Sequence, residues 1–375
     1  MIYLDNAATT KPNEKSVKKA EKYLLSEYYN PSALYAEGYN LQLELKSARK
    51  NILSLVANEN NYSIIFTSCG TEADNQAIFF AGKRGNVVTT LGEHSAVHSA
   101  ITELKQRGIE VRFANLNSDG SVDEEHLLSL VDDKTSLVSV IHVNNETGAV
   151  NDIFCISEKV KAKNKHALFH SDGVQAFGKI AFRLTNNIDL YSISAHKLGG
   201  IKGCGGLIYK NNLAIKPLIY GGGQEQGLRS GTENVFAIKC FEYAALEKFN
   251  NLTKASLKVK QLNDDMRLLL DKNLFKILSS KNASPYILTV SAVGLRGETV
   301  MHEANDNGLI VGTGSACSSN AKKRFSRIIL ACGVDEKTAD GVLRISFSPE
   351  NTIEEVKEAS QILNKIVKNR LDIMA

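Results

Sequence analysis

Short apolar runs that each stop at a polar side chain, with helix-patterned stretches between them, limit what this chain can fold into. Residues 63–67 run into Ser68-Cys69-Gly70-Thr71, residues 86–91 into Gly92-Glu93-His94, and residues 137–141 into His142-Val143-Asn144-Asn145. Residues 167–170 deliver Ser171-Asp172-Gly173-Val174-Gln175, and the run 188–193 ends in Ser194-Ala195-His196-Lys197. Strand-length runs alternating with helical segments predict an α/β fold around a mostly parallel sheet. Ligands of such sheets bind beyond the carboxyl ends of the strands, so His94, Asn145, Asp172, Gln175 and Lys197 are expected to converge on one crevice.

The residue types suit one ligand. Lys197 stands at the mouth of a strand, ahead of Gly199-Gly200-Ile201-Lys202-Gly203-Cys204-Gly205-Gly206. Partial desolvation there favours a neutral, nucleophilic amine able to form a Schiff base with an aldehyde. An acidic group such as Asp172 keeps a pyridine nitrogen protonated as an electron sink. Gly70-Thr71, with Thr71 and Asp74 spaced as a capping pair for a helix over 72–81, offers N–H groups and a helix dipole to a phosphate. Together these point to pyridoxal 5'-phosphate, with His94 stacked on the ring and Asn145 and Gln175 at its phenolic oxygen. Taken singly, each has a plainer reading: a surface lysine before a turn, an ordinary capped helix. His142 and His170 read as hydrogen-bonded structural histidines.

The remaining pattern predicts helices over 14–28, 41–56 and, almost without a break, 234–274. A small α+β unit follows, with strands at 286–290, 309–311 and 342–347, helices at 298–305 and from Phe325, and a last helix capped by Thr352. Residues 220–234 form a long polar, glycine-rich loop expected to reach a partner subunit's site. With 45 basic and 41 acidic residues the net charge is +4, small for 375 residues and without a basic block, which argues against a nucleic-acid partner. No apolar run is long enough to span a bilayer and no signal peptide is evident, so a cytoplasmic location is expected. The 6 cysteines include no CxxC pair, which excludes a zinc knuckle or a secreted disulfide framework. Cys317 differs from the other cysteines, because Gly312-Thr313-Gly314-Ser315-Ala316-Cys317-Ser318-Ser319-Asn320 is a loop of small residues, where a thiol is exposed and reactive.

Several ordered motifs carry a resemblance over almost the whole chain. They are Tyr3-Leu4-Asp5-Asn6-Ala7-Ala8-Thr9-Thr10, Asn30-Pro31-Ser32, Gly70-Thr71-Glu72, Glu93-His94 and His142-Val143-Asn144-Asn145-Glu146. The Asp172/Gln175 pair, Ser194-Ala195-His196-Lys197, Arg229-Ser230-Gly231-Thr232 and Gly314-Ser315-Ala316-Cys317 complete them. The chain resembles the cysteine desulfurases of the NifS/IscS type, class V aminotransferase-like members of the fold-type I pyridoxal-phosphate enzymes. That resemblance implies a large cofactor domain over 15–254, a small domain made of 1–14 and 255–375 that carries the cysteine loop, and a homodimer with composite sites. It implies that Lys197, Cys317 and His94 are catalytic. Gly70, Thr71, Ser194 and His196 would hold the phosphate with Thr232 of the other subunit, and Ala195 would also bind the cofactor. Asn145, with Arg344 of Leu343-Arg344-Ile345-Ser346 and Asn30 nearby, would bind the substrate.

The implied reaction takes sulfur from L-cysteine. Lys197 removes the Cα proton, Cys317 attacks the substrate sulfur, and alanine and an enzyme persulfide result. The persulfide passes to an acceptor protein for iron–sulfur cluster assembly or for tRNA or cofactor thiolation. No resident metal is expected, with transient iron–sulfur ligation by Cys317 the one exception. A selenocysteine lyase or β-lyase on the same scaffold, and a non-catalytic sulfur-relay scaffold, are the rival readings. Tyr35, Ile201 and Gln226 depart from residues common in the family, where histidine, proline and arginine are usual; they bear on the substrate entrance and partner surface more than on the chemistry.

Overall fold

In a computed structural model, which describes residues 1–313 and 324–374, the strands in chain order are β1 (Ile2–Tyr3), β2 (Tyr62–Thr67), β3 (Asn86–Thr90) and β4 (Glu110–Ala114). Next come β5 (Thr135–Ser139), β6 (Leu168–Asp172), β7 (Leu190–Ser194) and β8 (Gly205–Lys210). The last are β9 (Lys276–Ile277), β10 (Ile287–Ser291), β11 (Leu309–Ile310) and β12 (Val342–Ser346). Seven of them form one sheet in the order β2-β8-β7-β6-β5-β3-β4. β8 alone runs antiparallel to its neighbours β2 and β7, and the other pairings are parallel.

The strands read as near-continuous apolar runs because helices cover both faces. Adjacent residues go to opposite sides: Val88, Val138, Phe169 and Ile193 join one core, whereas Val87, Leu137 and Leu190 join the other. All seven are fully buried, and each such side chain contributes about 1.5–3 kcal/mol by leaving water. A third core combines both ends of the chain. Ile2 and Leu4 pack with Leu288, Val290, Leu343 and Ile345 and with Val259, Leu262, Val356 and Leu363. Around it β1 pairs in parallel with β11, and β12-β10-β9 form an antiparallel sheet. Among the described residues no helix is long and apolar enough to cross a membrane.

Several expected boundaries shift, each for a local reason. The helix expected over 72–81 begins at Gly70, with Cys69 as its N-cap in extended backbone (φ −172°, ψ 173°), so Thr71 lies inside the first turn and does not pair with Asp74 as a cap. The stretch 14–28 divides into Glu14–Ala20, capped by Asn13, and Lys22–Leu25. The stretch 234–274 breaks at Asn251, which leaves the helical region (φ −111°, ψ 9°) between Val235–Asn250 and Leu252–Leu269. The expected helix start at Phe325 falls to Ser326, whose hydroxyl caps Arg327–Ala331. The edge strand β4 was not anticipated, because its polar Glu110 and Arg112 obscure the strand pattern.

Candidate active site

One cavity opens beyond the carboxyl ends of the parallel strands. Gly70 and Thr71 reach it from the segment after β2, His94 from after β3, Asn145 from after β5, Asp172 and Gln175 from β6 and the turn beyond it, and Ser194, His196 and Lys197 from β7. Ala7 and Arg344 enter from the end-of-chain core. Cys69 and Asp74 also line the cavity.

Lys197 closes a single 3-10 turn, Ala195–Lys197, in the connection between β7 and β8. The turn reverses at Gly199, whose φ of +98° disfavours any residue with a Cβ. Its amine donates to the carbonyls of Ala7 at 2.7 Å and Ala8 at 2.8 Å. Ala7 O also receives the side-chain amide of Gln175 at 2.8 Å, and Lys179 donates to the other end of that amide at 2.6 Å. Lys179 is buried, and burial followed by the charge of Lys197 depresses its pKa well below the ordinary lysine value.

Asp172 ends β6 and accepts from the backbone N–H of Val174 at 2.9 Å. Burial, then the neighbouring Asp74, pushes its carboxyl up to about 8. The following residue must be glycine, because a Cβ at Gly173 would stand 2.0 Å from Cζ of Tyr191. His94 caps the helix Ser95–Gln106 through Nδ1, which accepts from Ala96 N at 3.2 Å. Burial and then Lys197, Arg344 and Arg327 hold its pKa down at about 4, so the ring is neutral near pH 7. Arg344 donates to Asn145 O and to Asp5 Oδ1, both at 3.0 Å, while its Nε is buried without a hydrogen-bond partner.

The two histidines read as structural are so placed. His142 Nδ1 meets Tyr191 OH at 2.8 Å among Phe154 and Phe182, and His170 lies between Ser139 and Ser192 at 2.9 and 3.1 Å. Asn30 and Thr232 are exposed and do not line the cavity. Cys317 lies outside the described residues. Arg324, seven residues beyond it, is paired with Asp340 at 2.7 Å.

The family model for the class-V aminotransferases matches residues 2–358. The cysteine desulfurase IscS of Clostridium botulinum is 34% identical over 383 aligned residues, 99% of this chain and 96% of its own length. A cysteine desulfurase of Nostoc sp. is 33% identical, over 98% of this chain and 93% of its own. The chain belongs to the cysteine desulfurase group of the class-V aminotransferases. Among solved structures, a NifS-like protein superposes with a TM-score of 0.91 at 32% identity, covering 98% of this chain and 99% of its own. A structure described as SspA in complex with cysteine gives 0.81 at 26% identity, covering 94% of this chain and all of its own.

Enzymes of this desulfurase group use pyridoxal 5'-phosphate, and the donor set suits that group. The side-chain oxygens of Ser194 and Asn145 are buried in the cavity wall without hydrogen-bond partners, a costly arrangement unless a polar ligand satisfies them. The helix Gly70–Ala81 has no side-chain cap at Cys69, which leaves its first N–H groups to an anion. At Gly70 a Cβ would stand 2.7 Å from Cγ2 of Val174, so backbone alone fits there. Two members of this site were not read as such from the sequence. The Ala7 carbonyl is a backbone group, which composition never marks. Asp74 looked like a capping residue, and its burial was not anticipated.

Proposed function

We propose that the chain is a pyridoxal-phosphate-dependent desulfurase acting on L-cysteine. The observation carrying this reading is the meeting of Lys197, Asp172, His94 and Arg344 in one cavity, each on a different element. The relative described as bound to cysteine supports the substrate class. When bound, the cofactor supplies an electron sink for charge developing at the substrate Cα.

The chain's own residues supply the remaining functions. The buried guanidinium of Arg344, with Nε unsatisfied, takes the substrate carboxylate. Lys197, steered by the Ala7 and Ala8 carbonyls, carries the Cα proton. Asp172 would pair with the ring nitrogen of the bound cofactor, and neutral His94 would stack on the ring without adding charge. Cys317 accepts the sulfur: the substrate carbon–sulfur bond breaks, a sulfur–sulfur bond forms on the enzyme, and alanine leaves. Delivery to an iron–sulfur or thiolation acceptor, and a cytoplasmic setting, complete the proposal; the five described cysteines are all free thiols, in keeping with a reducing compartment. Purified protein given L-cysteine and a thiol reductant, which frees the outer sulfur of the persulfide as sulfide, should release alanine and sulfide without any other protein. Absence of alanine release would leave the relay-scaffold reading in its place.

We also propose the domain division 15–254 against 1–14 with 255–375, and a homodimer. The shared core of the two chain ends supports the first. Leu24, Leu25, Tyr28, Leu34, Tyr35 and Tyr39, all exposed within one 16-residue stretch, support the second, because monomers seldom expose large apolar patches. The loop at 220–234 is braced by Arg49–Glu225 at 2.7 Å and Arg229–Glu72 at 2.9 Å, leaving Gly231 and Thr232 exposed. Thr232→Ala should weaken cofactor retention by about 1.5–3 kcal/mol, the value of one hydrogen bond to a charged group, without unfolding the protein. A monomer by light scattering that keeps cofactor and activity would refute the shared site.

A further inference from the structure

The turn that delivers His94 to the cavity is closed by side chains from distant parts of the chain. Leu91, Gly92 and Glu93 follow β3, and Gly92 and Glu93 are buried, so their backbone carbonyls need partners. The three consecutive carbonyls are received by Arg327 Nη1, by Asn144 Nδ2 at 2.9 Å and by Arg327 Nη2 at 2.7 Å. One guanidinium therefore straddles Gly92, from 234 positions beyond Glu93 in sequence.

Arg327 opens the helix Arg327–Ala331, and the cap of that helix is tied to the same side of the sheet. Ser326 caps it and also donates to Glu146 Oε2, on the turn after β5. Glu146 N and Thr147 N donate in turn to Asn144 Oδ1 at 2.8 and 2.9 Å, which sets the amide that takes the middle carbonyl. Two adjacent side chains at one helix start thus hold the two turns that bear His94 and Asn145, both of which line the cavity. Arg327 itself does not line it.

A guanidinium suits this place because its planar fork presents separate N–H groups to separate acceptors. Lysine ends one bond earlier, so its single nitrogen would stop short of both carbonyls. We propose that Arg327 is a positioning residue for His94: by gripping the carbonyls on either side of Gly92 it sets how the His94 ring meets the bound cofactor. This rests on the cofactor site described above. Arg327 is also, after burial, Lys197 and Arg344, among the causes that hold the His94 pKa low, so its test must separate the fork from the charge.

The test is a double-mutant cycle read on pyridoxine 5'-phosphate, which has an alcohol in place of the aldehyde and makes no bond to Lys197. His94→Asn keeps a capping side chain and removes the ring; it should weaken binding of the probe by about 3- to 10-fold, the value of one aromatic contact. Arg327→Met should weaken it by about 3-fold, and in the His94→Asn background should add less than about 2-fold, the margin within which independent effects are resolved. Arg327→Lys keeps the charge and should resemble Arg327→Met. The visible circular dichroism of the pyridoxal-phosphate holoenzyme, which reports how the ring is held, should change in both Arg327 variants and be the same in His94→Asn with or without Arg327→Met.

Three results overturn the proposal and leave the cofactor site standing: wild-type binding by Arg327→Met, its full effect persisting in the His94→Asn background, or wild-type values for Arg327→Lys. Wild-type binding by His94→Asn removes the ring contact and the proposal with it, and failure of the wild type to bind the probe overturns the cofactor site as well. If Arg327→Met does not fold, Arg327→Lys replaces it in the cycle with the same outcomes. Loss of the fold in both would make Arg327 a folding residue and overturn the proposal.

Discussion

Lys197→Ala is expected to remove the visible absorption of the bound cofactor after gel filtration and to eliminate turnover. Loss of the general-base role alone costs about 10²–10⁴-fold, and loss of the covalent anchor adds to it. The protein should still fold. Both the Ala7 and Ala8 carbonyls lose the Lys197 amine as a donor, but Ala7 O keeps its bond from Gln175. The informative competitor is Lys179, a second buried amine whose depressed pKa would also suit a nucleophile. It is engaged by Gln175 at 2.6 Å and does not line the cavity. Borohydride reduction of the holoenzyme followed by peptide mapping should therefore label Lys197, and label on Lys179 would overturn the assignment.

Cys317→Ser should keep the cofactor and still bind cysteine, seen as a spectral change, while alanine release falls by more than about 10²-fold, as for a lost nucleophile. The other thiols are poorly placed to replace it. Cys240 and Cys332 are buried, with their pKa values pushed up by burial to about 11 and about 12, and Cys204 is raised further. A thiol so far from ionising at neutral pH is a weak nucleophile. Cys155 is half-buried on the helix Ile153–Lys163, away from the cavity lining. Cys69 is the serious rival, because it is half-buried and lines the cavity. Cys69→Ser should retain substantial activity. Mass spectrometry of cysteine-treated wild type should find the added sulfur on Cys317; an adduct confined to Cys69, or full activity in Cys317→Ser, would reject the proposed route.

The sequence is most legible where one residue type permits few roles. His94, Asn145, Asp172, Gln175 and Lys197 could be placed in one crevice because each follows an apolar run, and strand ends of a parallel sheet share a side. Helix starts were less legible. Thr71 is a better capping residue than Cys69 by propensity, but the strand at Thr67 runs so directly into the helix that Cys69 takes the cap and Thr71 falls inside the first turn. Asp74 then sits one turn in, facing the sheet, where its meaning depends on Asp172 from a distant segment and no local pattern can show it. The 234–274 stretch misled for the opposite reason: apolar periodicity continues on both sides of Asn251, and a single residue leaving the helical region is enough to divide it.

The opening residues bear on how the enzyme is completed as it is made. Asn6 and Ala7 are held by Ser346, at sequence separations of 340 and 339, and Asp5 by Arg344. Lys197 and Gln175 in turn rest on Ala7 O. During synthesis the whole seven-stranded sheet, from Tyr62 to Lys210, leaves the ribosome well before β12 exists. Until β11 and β12 emerge, Ile2 to Ala7 lack the strands they pair with, although Thr10 and Asn13 already have the His196 and Gly199 carbonyls to bond. The nascent chain can therefore present a folded sheet with most of its ring-facing side chains while remaining chemically unfinished. The Ala7 and Ala8 carbonyls that Lys197 meets gain their hold from Ser346 when the last strand arrives.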